Sequence, residues 1–244
     1  MAQAYPKIRF MQNKLLQVTS MNMIIVEKDG LEIKVDYDVL VLCTGFSYDQ
    51  PVKGEGALTL ADRKKNHVDF YNKVSSANSI LIGGAGIVGV ELAGEFAVKY
   101  AASKEKKIGI CLRGNQLLPG LPQKAGRLAE EFLKRNNVEI HKQTPFGPTS
   151  AKELGYDFSI QCTGYRYNTS FMKDNFAKCL APNGQIYVND LFQISSVDPR
   201  IDPIAKGVKE NIFAFGDVCQ TSLNEQKSAI SIAFLASILG KSLA

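Results

Sequence analysis

Three glycines with the spacing Gly84-x-Gly86-x-x-Gly89 form a pattern that could bind a phosphorylated ligand. They stand where an apolar run gives way to a segment with helical spacing, which is where a buried strand would turn into a helix. Gly84 then permits the tight turn, Gly86 lets the backbone approach a ligand, and Gly89 lets the helix pack close to the strand. Free N–H groups and a partial positive charge at the helix start suit two linked phosphates. A glycine-rich packing turn without a ligand is the alternative.

The strand that should follow this helix, over residues 107–112, ends at Arg113. A site selective for NAD places Asp or Glu there to bind the ribose diol, but no acid occurs between Glu105 and Glu130. Near a protein surface, the attraction between a cation and a 2′-phosphate about 4 Å apart is about 4 kcal/mol, and the repulsion from a carboxylate at that distance is as large. Arg113 therefore favours NADPH or acceptance of both nucleotides, unless it is a solvated loop arginine.

Glu91 and Glu95 lie in the first turns of the predicted helix. Two interpretations of Glu91 remain open. Its carboxylate either stabilises the helix through the macrodipole or makes a polar contact near the ring end of a bound cofactor.

The elements that must position these residues alternate along the chain. Short apolar runs that end at glycine predict buried strands within residues 39–45, 80–86, 158–164 and 212–217. Apolar residues at helical spacing predict helices over residues 88–100, 124–135 and 228–242. A period closer to two predicts strands near residues 23–26 and 36–38. Strands that alternate with helices indicate an α/β fold with a largely parallel, Rossmann-type sheet.

Changes in composition divide the 244 residues into two units. Residues 51–78 are mixed and polar and are interpreted as a connector that leads into a new unit. A second change falls near residues 165–168. We therefore predict an inserted dinucleotide-binding unit at residues 55–164, with residues 1–54 and 165–244 together forming the other unit.

Composition excludes several other classes of protein. The chain has two histidines, no C-x-x-C pair among its five cysteines, and no G-x-S-x-G motif, which argues against a His-rich metal site, a zinc ribbon, a dithiol site and a serine hydrolase. Its net charge of +5 does not require nucleic acid. No apolar run reaches the roughly 20 residues of a membrane span. Wide cysteine spacing predicts reduced, mostly buried thiols and a reducing intracellular compartment. The acid-free first 26 residues leave a mitochondrial location open beside a cytoplasmic or membrane-peripheral one.

Four segments resemble those of two-dinucleotide-domain flavoproteins, the pyridine nucleotide-disulfide oxidoreductase superfamily. The sequence GGAGIVGVELAGE at residues 83–95 is similar to their NAD(P)H-binding signature. YDVLVLCTG at residues 37–45 and IQCTGYRYNT at residues 160–169 resemble their two crossovers, and NIFAFGD at residues 211–217 resembles their late FAD motif. The branch most similar is the apoptosis-inducing-factor-like, ferroptosis-suppressor type of NAD(P)H:quinone reductase, with type II NADH dehydrogenases nearby.

This resemblance implies a reaction and a set of site residues. NAD(P)H would deliver hydride to FAD, and the flavin would reduce a quinone-type acceptor. The nicotinamide cofactor site would include Gly84, Gly86, Gly89, Glu91 and Arg113. The flavin side would include Gly164 of the second crossover, Gly216, Asp217 at the ribityl chain, and Lys227. No catalytic residue is assigned.

The flavin fingerprint of the family is missing from the sequence. Only 38 residues precede Val39, with a single glycine, Gly30, and the C-terminal region of the family is not recognised either. A missing central strand would leave backbone groups unpaired at about 1–3 kcal/mol each, against a total stability of about 5–15 kcal/mol. Three interpretations remain open: a fragment of a longer protein, a chain completed by another polypeptide, or a flavin-less relative kept as a structural subunit.

Two functional hypotheses follow. The first is an FAD-dependent NAD(P)H oxidoreductase that reduces a quinone-type acceptor. The second is a catalytically inactive accessory subunit of a larger complex, which could be a mitochondrial respiratory one.

Overall fold

The computed structural model describes residues 8–48, 59–164 and 166–222. The chain divides into two compact units, the first formed by residues 1–46 with 166–244 and the second by residues 47–165. The chain therefore leaves the first unit once and returns to it once. The predicted boundary at 54/55 falls later than the observed one, and the boundary at 164/165 differs by a single residue. The helix predicted over residues 228–242, and Lys227, lie outside the described residues.

The strands and helices of the described residues are numbered here in chain order. The strands are β1 (Lys14–Val18), β2 (Met23–Lys28), β3 (Leu31–Asp36), β4 (Leu40–Leu42), β5 (Phe46–Ser47), β6 (Ser79–Gly83), β7 (Lys107–Cys111), β8 (Val138–His141), β9 (Phe158–Gln161), β10 (Arg166–Tyr167), β11 (Ile186–Tyr187), β12 (Ile212–Ala214) and β13 (Cys219–Gln220). The helices are α1 (Leu60–Ser76), α2 (Ile87–Phe96), α3 (Gln123–Arg135), α4 (Ser150–Glu153) and α5 (Lys173–Phe176). A π-helical turn, Ala97–Ala101, continues α2, and short 3-10 turns lie at Ser170–Met172, Ala177–Cys179 and Gly216–Val218.

The second unit is built on a four-stranded sheet in the order β8-β7-β6-β9. All three pairings are parallel, and every residue of β6 is buried. In a parallel sheet the carboxyl ends of the strands meet at one edge, so the turn after β6 lies at the centre of that edge. The predicted α/β class with parallel sheets is confirmed.

One face of this sheet carries the helices. Ile80, Ile82, Ile108 and Ile110 alternate along β6 and β7 and are fully buried against residues of α1, α2 and α3. Because side chains of a strand alternate between faces, the same strands present Leu81, Gly83, Gly109 and Cys111 to the other side. The core of this unit therefore lies under the helices.

Helix α1 corrects the sequence prediction, which interpreted residues 51–78 as a connector. Residues 60–76 are helical, and residues 51–58 of that stretch lie outside the described part. A capping box starts the helix, because Thr59 accepts from the amide of Asp62 while the Asp62 carboxylate accepts from the amide of Thr59. Phe70 and Val74 then pack into the core. The helix is polar on most of its surface, which hid its apolar periodicity.

Two aromatic rings cover the other face of the sheet. The ring of Phe146 lies where a Cβ on Gly83 would be, and the hydroxyl of Tyr156 lies where a Cβ on Gly109 would be. Both aromatic residues belong to the segment that connects β8 to β9, which includes α4. The two glycines therefore let this short segment form a second layer directly on the backbone of the sheet.

The first unit begins with an antiparallel meander of β1, β2 and β3. Asp29 and Gly30 both have positive φ in the tight turn between β2 and β3. The period of two predicted strands near residues 23–26, which lie in β2, and near residues 36–38, where β3 ends at Asp36, but it did not predict the three-stranded meander. Its polar, alternating strands are typical of a sheet with one solvated face.

Strands β4 and β12 of the first unit pair in parallel, with Leu40 opposite Ile212 and Leu42 opposite Ala214. On its other side β12 is bridged by Gln193. Within the described residues β4 has no second partner, and its Val41 side chain is exposed. Among the described residues, the outer edge of β12 in this parallel pair is therefore covered, and the outer edge of β4 is open.

Candidate dinucleotide-binding site

The glycine turn after β6 has the geometry that the sequence predicted. Gly84 has φ +110°, and a Cβ there would overlap the methyl group of Thr163. A Cβ on Gly89 would overlap the carbonyl oxygen of Gly84. Gly84 and Gly89 therefore allow the tight turn and the close packing of α2 on it.

Gly86 differs from these two glycines, because nothing lies within 4 Å of the position that its Cβ would take. It is the N-cap of α2, it is exposed, and no side chain caps the helix there. The first backbone bond of the helix is donated by Val90 to the Gly86 carbonyl, so the earlier amides are available to a ligand. Open space beside unpaired N–H groups fits the pyrophosphate of a dinucleotide.

Backbone hydrogen bonds from neighbouring strands fix the turn. The amide of Gly84 donates to Cys111 at 2.9 Å, and the amide of Cys162 donates to Gly83 at 2.8 Å. The amide of Leu118 donates to Ala85 at 2.8 Å. The turn is thus held by the ends of β7 and β9 and by the loop that follows β7, which preorganises it for binding.

Arg113 lies at the same edge of the sheet, two residues beyond Cys111. Its neighbours are fixed, because Thr144 donates to the Leu112 carbonyl and Gln143 donates to that of Gly114. The guanidinium is exposed and makes no ion pair or hydrogen bond within the described part of the chain. The structure therefore brings a free cation and the glycine turn to adjacent strand ends.

Glu91 is the fifth residue of α2 and is exposed, and the first turn of the helix contains no acid. Glu91 therefore lies in the second turn of the helix. A macrodipole contribution falls off beyond the first turn, so the structure gives little support to that interpretation.

The predicted flavin-side residues are spread over both units. Gly164 in the second unit has φ +77°, and Gly216 in the first has φ +74°, so both adopt the left-handed conformation that favours glycine. The carboxylate of Asp217 makes no hydrogen bond or ion pair among residues 8–48, 59–164 and 166–222, and it is only partly buried. Lys227 cannot be placed because it lies outside those residues.

Three polar residues that the sequence did not indicate as functional donate hydrogen bonds to backbone carbonyls of the first unit. Gln185 donates from Nε2 to the carbonyls of Asp217 and Cys219, each at 3.1 Å. Thr44 donates from Oγ1 to the Asn168 carbonyl at 2.7 Å, and Asn168 donates from Nδ2 to the Thr44 carbonyl at 2.8 Å. This reciprocal pair joins the segment that leaves the first unit after β4 to the segment that returns to it at β10. No sequence pattern indicates this pair of hydrogen bonds, because the two residues are far apart in the chain.

A polar network fastens the second layer of the sheet. The Tyr156 hydroxyl donates to Glu139 at 2.9 Å and lies 2.9 Å from Nε2 of His141, while Lys107 lies 3.2 Å from Glu139. Burial first, and then the bond to Glu139, raise the pKa of Tyr156 well above its ordinary value. Burial alone would raise the pKa of Glu139, but bonds from Tyr156 and Lys107 outweigh it and leave that pKa lowered.

Replacing Tyr156 by phenylalanine is expected to lower the free energy of unfolding at neutral pH by about 1–2 kcal/mol, because Glu139 and His141 each lose a partner. The lowered pKa of Glu139 contributes stability above the unfolded-state value and loses it as the pH falls through the folded-state value. The difference between wild type and Tyr156→Phe should therefore shrink below about pH 4. Urea unfolding at several pH values measures it, and a difference independent of pH would contradict this role of Glu139.

Thiol, metal and membrane chemistry receive no support from the described residues. Four of the five cysteines are buried, as predicted, and burial raises the pKa of Cys162 and of Cys179 to about 11. In the part of the chain that the structure describes, no three His, Cys, Asp or Glu side chains group as metal ligands. No helix within the same ranges has the length and apolar character needed to cross a bilayer.

Comparison with known proteins identifies the family. Residues 3–233 match the family described as pyridine nucleotide-disulphide oxidoreductase. The chain belongs to this family. The resemblance to apoptosis-inducing-factor and ferroptosis-suppressor proteins is likewise confirmed. The chain is 29% identical to apoptosis-inducing factor homolog A of Dictyostelium discoideum, with 88% of this chain and 56% of that protein covered. It is 24% identical to ferroptosis suppressor protein 1 of Taeniopygia guttata, with 94% and 61% covered.

Two further proteins are similar to this chain. Oxidoreductase ptaL of Pestalotiopsis fici is 29% identical, with 89% of this chain and 59% of that protein covered. The water-forming NADH oxidase of Lactobacillus brevis, solved bound to NADH, superposes with a TM-score of 0.65 at 21% identity, covering 93% of this chain and 51% of that one. This structural similarity confirms the Rossmann-type fold. The chain spans 56–61% of the length of these three curated relatives.

Proposed function

We propose that this chain binds NADPH or NADH at the turn after β6 and serves as the nucleotide-binding part of an FAD-dependent NAD(P)H oxidoreductase. The observation that carries the proposal is the open, uncapped N-terminus of α2 at Gly86. A packing turn without a ligand would have that space filled by neighbouring side chains. Membership of the pyridine nucleotide-disulphide oxidoreductase family supports the same conclusion.

Each residue at the edge of the sheet has a defined task in this proposal. The amides after Gly86 bind the pyrophosphate, and the left-handed Gly84 keeps the backbone clear of it. Arg113 binds the ribose end, and Glu91 contacts the nicotinamide end. The chemistry that the bound groups supply is a hydride from NAD(P)H and a flavin that passes the electrons to an acceptor.

The flavin side is proposed from fewer contacts. Asp217 offers a free carboxylate beside the left-handed Gly216, and Gln185 fixes its backbone, which fits a hydroxyl-bearing ribityl chain. Gly164 belongs to the second unit and, among the described residues, has no contact that supports a flavin role. The only G-x-G-x-x-G motif of the 244 residues is the one that begins at Gly84, so the phosphates of FAD need a further segment, or another polypeptide, to bind them.

The quinone-type acceptor rests on the resemblance to apoptosis-inducing-factor-like reductases. A flavin-less accessory role is the second candidate, and the single glycine fingerprint favours it. Titration of the purified chain with NADPH and NADH by calorimetry tests the first proposal directly. Visible absorption of the chain purified together with its natural partners, after unbound FAD is removed, separates the two candidates: a flavin spectrum that NADPH bleaches supports the reductase, and nucleotide binding without flavin supports the accessory role.

Charge reversal at Arg113 tests the choice of nucleotide. Arg113→Glu is expected to weaken NADPH binding by about a hundredfold or more and to change NADH binding by less than about threefold, because a carboxylate repels the 2′-phosphate. Arg113→Gln is the matched control, with an intermediate loss for NADPH. Equal losses for both nucleotides would refute the role of Arg113, while leaving the binding of the pyrophosphate at Gly86 intact.

A further inference from the structure

A cleft of about 290 Å³ in the second unit lies between helix α1 and strand β9. Helix α1 contributes Asn66, Asp69, Phe70 and Lys73, whose spacing of three and four residues puts them on one side of the helix. Strand β9 contributes residues 158–160. These seven residues are called the β9 cleft below. They include none of the described residues of the glycine turn, so the β9 cleft is separate from the proposed nucleotide site.

The apolar part of the β9 cleft consists of two aromatic rings and one buried aliphatic side chain. The ring centroids of Phe70 and Phe158 are 6.3 Å apart, and both residues are only partly buried. Ile160 is 2% exposed. An apolar side chain that enters the cleft would remove the remaining exposed surface of the two rings from water, which favours binding.

Two polar side chains of the β9 cleft lack a partner. Neither the side-chain amide of Asn66 nor the ammonium of Lys73 makes a hydrogen bond or an ion pair with another residue of the described ranges. Asp69, by contrast, lies 3.7 Å from the ammonium of Lys65. The acid of the cleft is therefore compensated, and the cation of Lys73 is left to attract a carboxylate.

The backbone at the edge of β9 supplies further unpaired groups. β9 is the last strand in the sheet order β8-β7-β6-β9. Gly83 is opposite Gln161, and the amide of Cys162 donates to the Gly83 carbonyl, so alternate residues of β9 direct their N–H and C=O groups toward β6. Ser159 and Gln161 therefore direct theirs outward. No described residue pairs with these outward backbone groups.

The size and chemistry of the β9 cleft fit an extended peptide. Its volume of about 290 Å³ lies just below the range of roughly 300–1,000 Å³ that small-molecule pockets have, so it suits one or two side chains better than a whole cofactor. A strand edge beside such a cleft binds extended peptides through main-chain hydrogen bonds, with every second side chain in the cleft. The amide of Asn66 can donate to and accept from a peptide backbone as well.

A second copy of this chain fits the edge of β9 less well than an acidic peptide does. Two-fold pairing of two β9 strands would continue the sheet and place both copies of α1 side by side on the same face. Helix α1 carries more basic than acidic residues, namely Arg63, Lys64, Lys65 and Lys73 against Asp62 and Asp69. Like charges would therefore meet in such a dimer, whereas an acidic peptide supplies the anion that Lys73 lacks.

We propose that the β9 cleft binds an acidic, extended peptide segment of another protein, which pairs with β9 as an additional strand of the sheet. Alternate residues of the peptide face the cleft. An apolar one packs on Phe70 and Phe158, and an acidic one two places away, about 7 Å along the strand, meets Lys73. The proposal concerns a polypeptide partner of the second unit and is independent of nucleotide binding at Gly86.

Fluorescence anisotropy of a labelled synthetic peptide with the full 244-residue chain tests the proposal. The peptide has Leu at the centre, Glu two places away on each side and Thr before, between and after them, so its cleft-facing residues are the same in either direction of pairing. A dissociation constant of about 10–100 μM is expected of so small a contact. The same peptide with Lys in place of Glu should bind at least about tenfold more weakly.

Ser159→Pro tests the pairing with the strand edge. Proline lacks the outward N–H but leaves the bonds between β9 and β6 intact, which is why edge strands tolerate it. The variant should weaken peptide binding by about tenfold or more. Ser159→Thr is the matched control, because it keeps the N–H, and it should change the affinity by less than about twofold. Urea unfolding checks that both variants are folded.

Lys73→Glu tests the charge of the cleft. It should weaken binding of the Glu peptide by about tenfold and strengthen binding of the Lys peptide by about as much, because the side chain is exposed and only the sign of its charge is reversed. Lys64→Glu changes an exposed residue of α1 outside the cleft and should change neither affinity by more than about threefold.

Amide hydrogen exchange of Ser159 and Gln161, followed by NMR, shows whether the edge is open. Fast exchange in the free chain and slow exchange with the Glu peptide are expected. Slow exchange in the free chain, or protection that rises with the concentration of the chain alone, would mean that the edge is already paired and would overturn the proposal. No measurable peptide binding, equal affinity for the Glu and Lys peptides, or binding that Ser159→Pro leaves intact would overturn it too.

Discussion

Replacing Gly86 by aspartate is expected to raise the free energy of unfolding slightly and to weaken NAD(P)H binding by about a hundredfold or more. Aspartate is a better N-cap than glycine by a few tenths of a kcal/mol, and the extended backbone at residue 86, with φ −72° and ψ −175°, accepts it. Its carboxylate would take the free amides of α2 and oppose the phosphates, a like-charge interaction of about 4 kcal/mol at 4 Å before screening by salt.

The opposite signs of these two effects make Gly86→Asp informative. A loss of binding through misfolding would lower stability, whereas this variant should unfold at slightly higher urea concentration. Asn72→Asp, which adds the same charge on the exposed side of α1, controls for the change in net charge. Calorimetric titration with NADPH and urea unfolding measure the two quantities. Unchanged NADPH affinity in Gly86→Asp would remove the basis of the proposed function.

Replacing Gly109 by valine is expected to destabilise the second unit by about 3 kcal/mol or more. Valine has a high strand propensity, and at an open strand position it would stabilise the fold by up to about 1 kcal/mol relative to residues of lower propensity. At Gly109 its Cβ would overlap the Tyr156 hydroxyl. The ring must then leave the sheet, which forfeits its burial and its bonds to Glu139 and His141. The steric cost therefore outweighs the gain in strand propensity.

A double variant separates this contact from a general intolerance of Gly109. In Tyr156→Ala the space above Gly109 is empty, so adding Gly109→Val should cost much less than it does in the wild type. The coupling energy from the four unfolding curves should reach about 1–3 kcal/mol. Additive losses would show that the glycine is required for a reason other than the ring of Tyr156.

The sequence predicts the strands of this fold better than the features that join them. β6 starts one residue before its predicted range, and β7 and β9 lie inside theirs, because buried parallel strands are largely apolar runs. Helix α1 was missed because its surface is largely polar and its start depends on a capping box, Thr59 to Asp62, rather than on apolar spacing. The side chains of Phe146 and Tyr156 occupy the positions that a Cβ would take at Gly83 and Gly109. These contacts join residues distant in sequence, so no local pattern reveals them.

The candidate site is predicted in the same uneven way. The glycine turn is local, and its residue types follow from the backbone they must adopt, so Gly84, Gly86 and Gly89 could be assigned from spacing alone. Arg113 could be named as a candidate because it follows a strand end, and its role stays a prediction. Gln185 and Asn168 act through backbone carbonyls of residues far along the chain, and only the tertiary structure brings these groups together.

Within the part of the chain that the structure describes, the outer edge of β4 is unpaired, and this has a practical consequence for expression of the chain. Strand edges recruit whatever extended polypeptide comes within reach, and exposed valines beside the unused amides strengthen that tendency. When the chain is overproduced alone, intermolecular strand addition at this edge should cause aggregation that increases with protein concentration. Co-expression with a polypeptide that supplies the matching strand should keep it in solution.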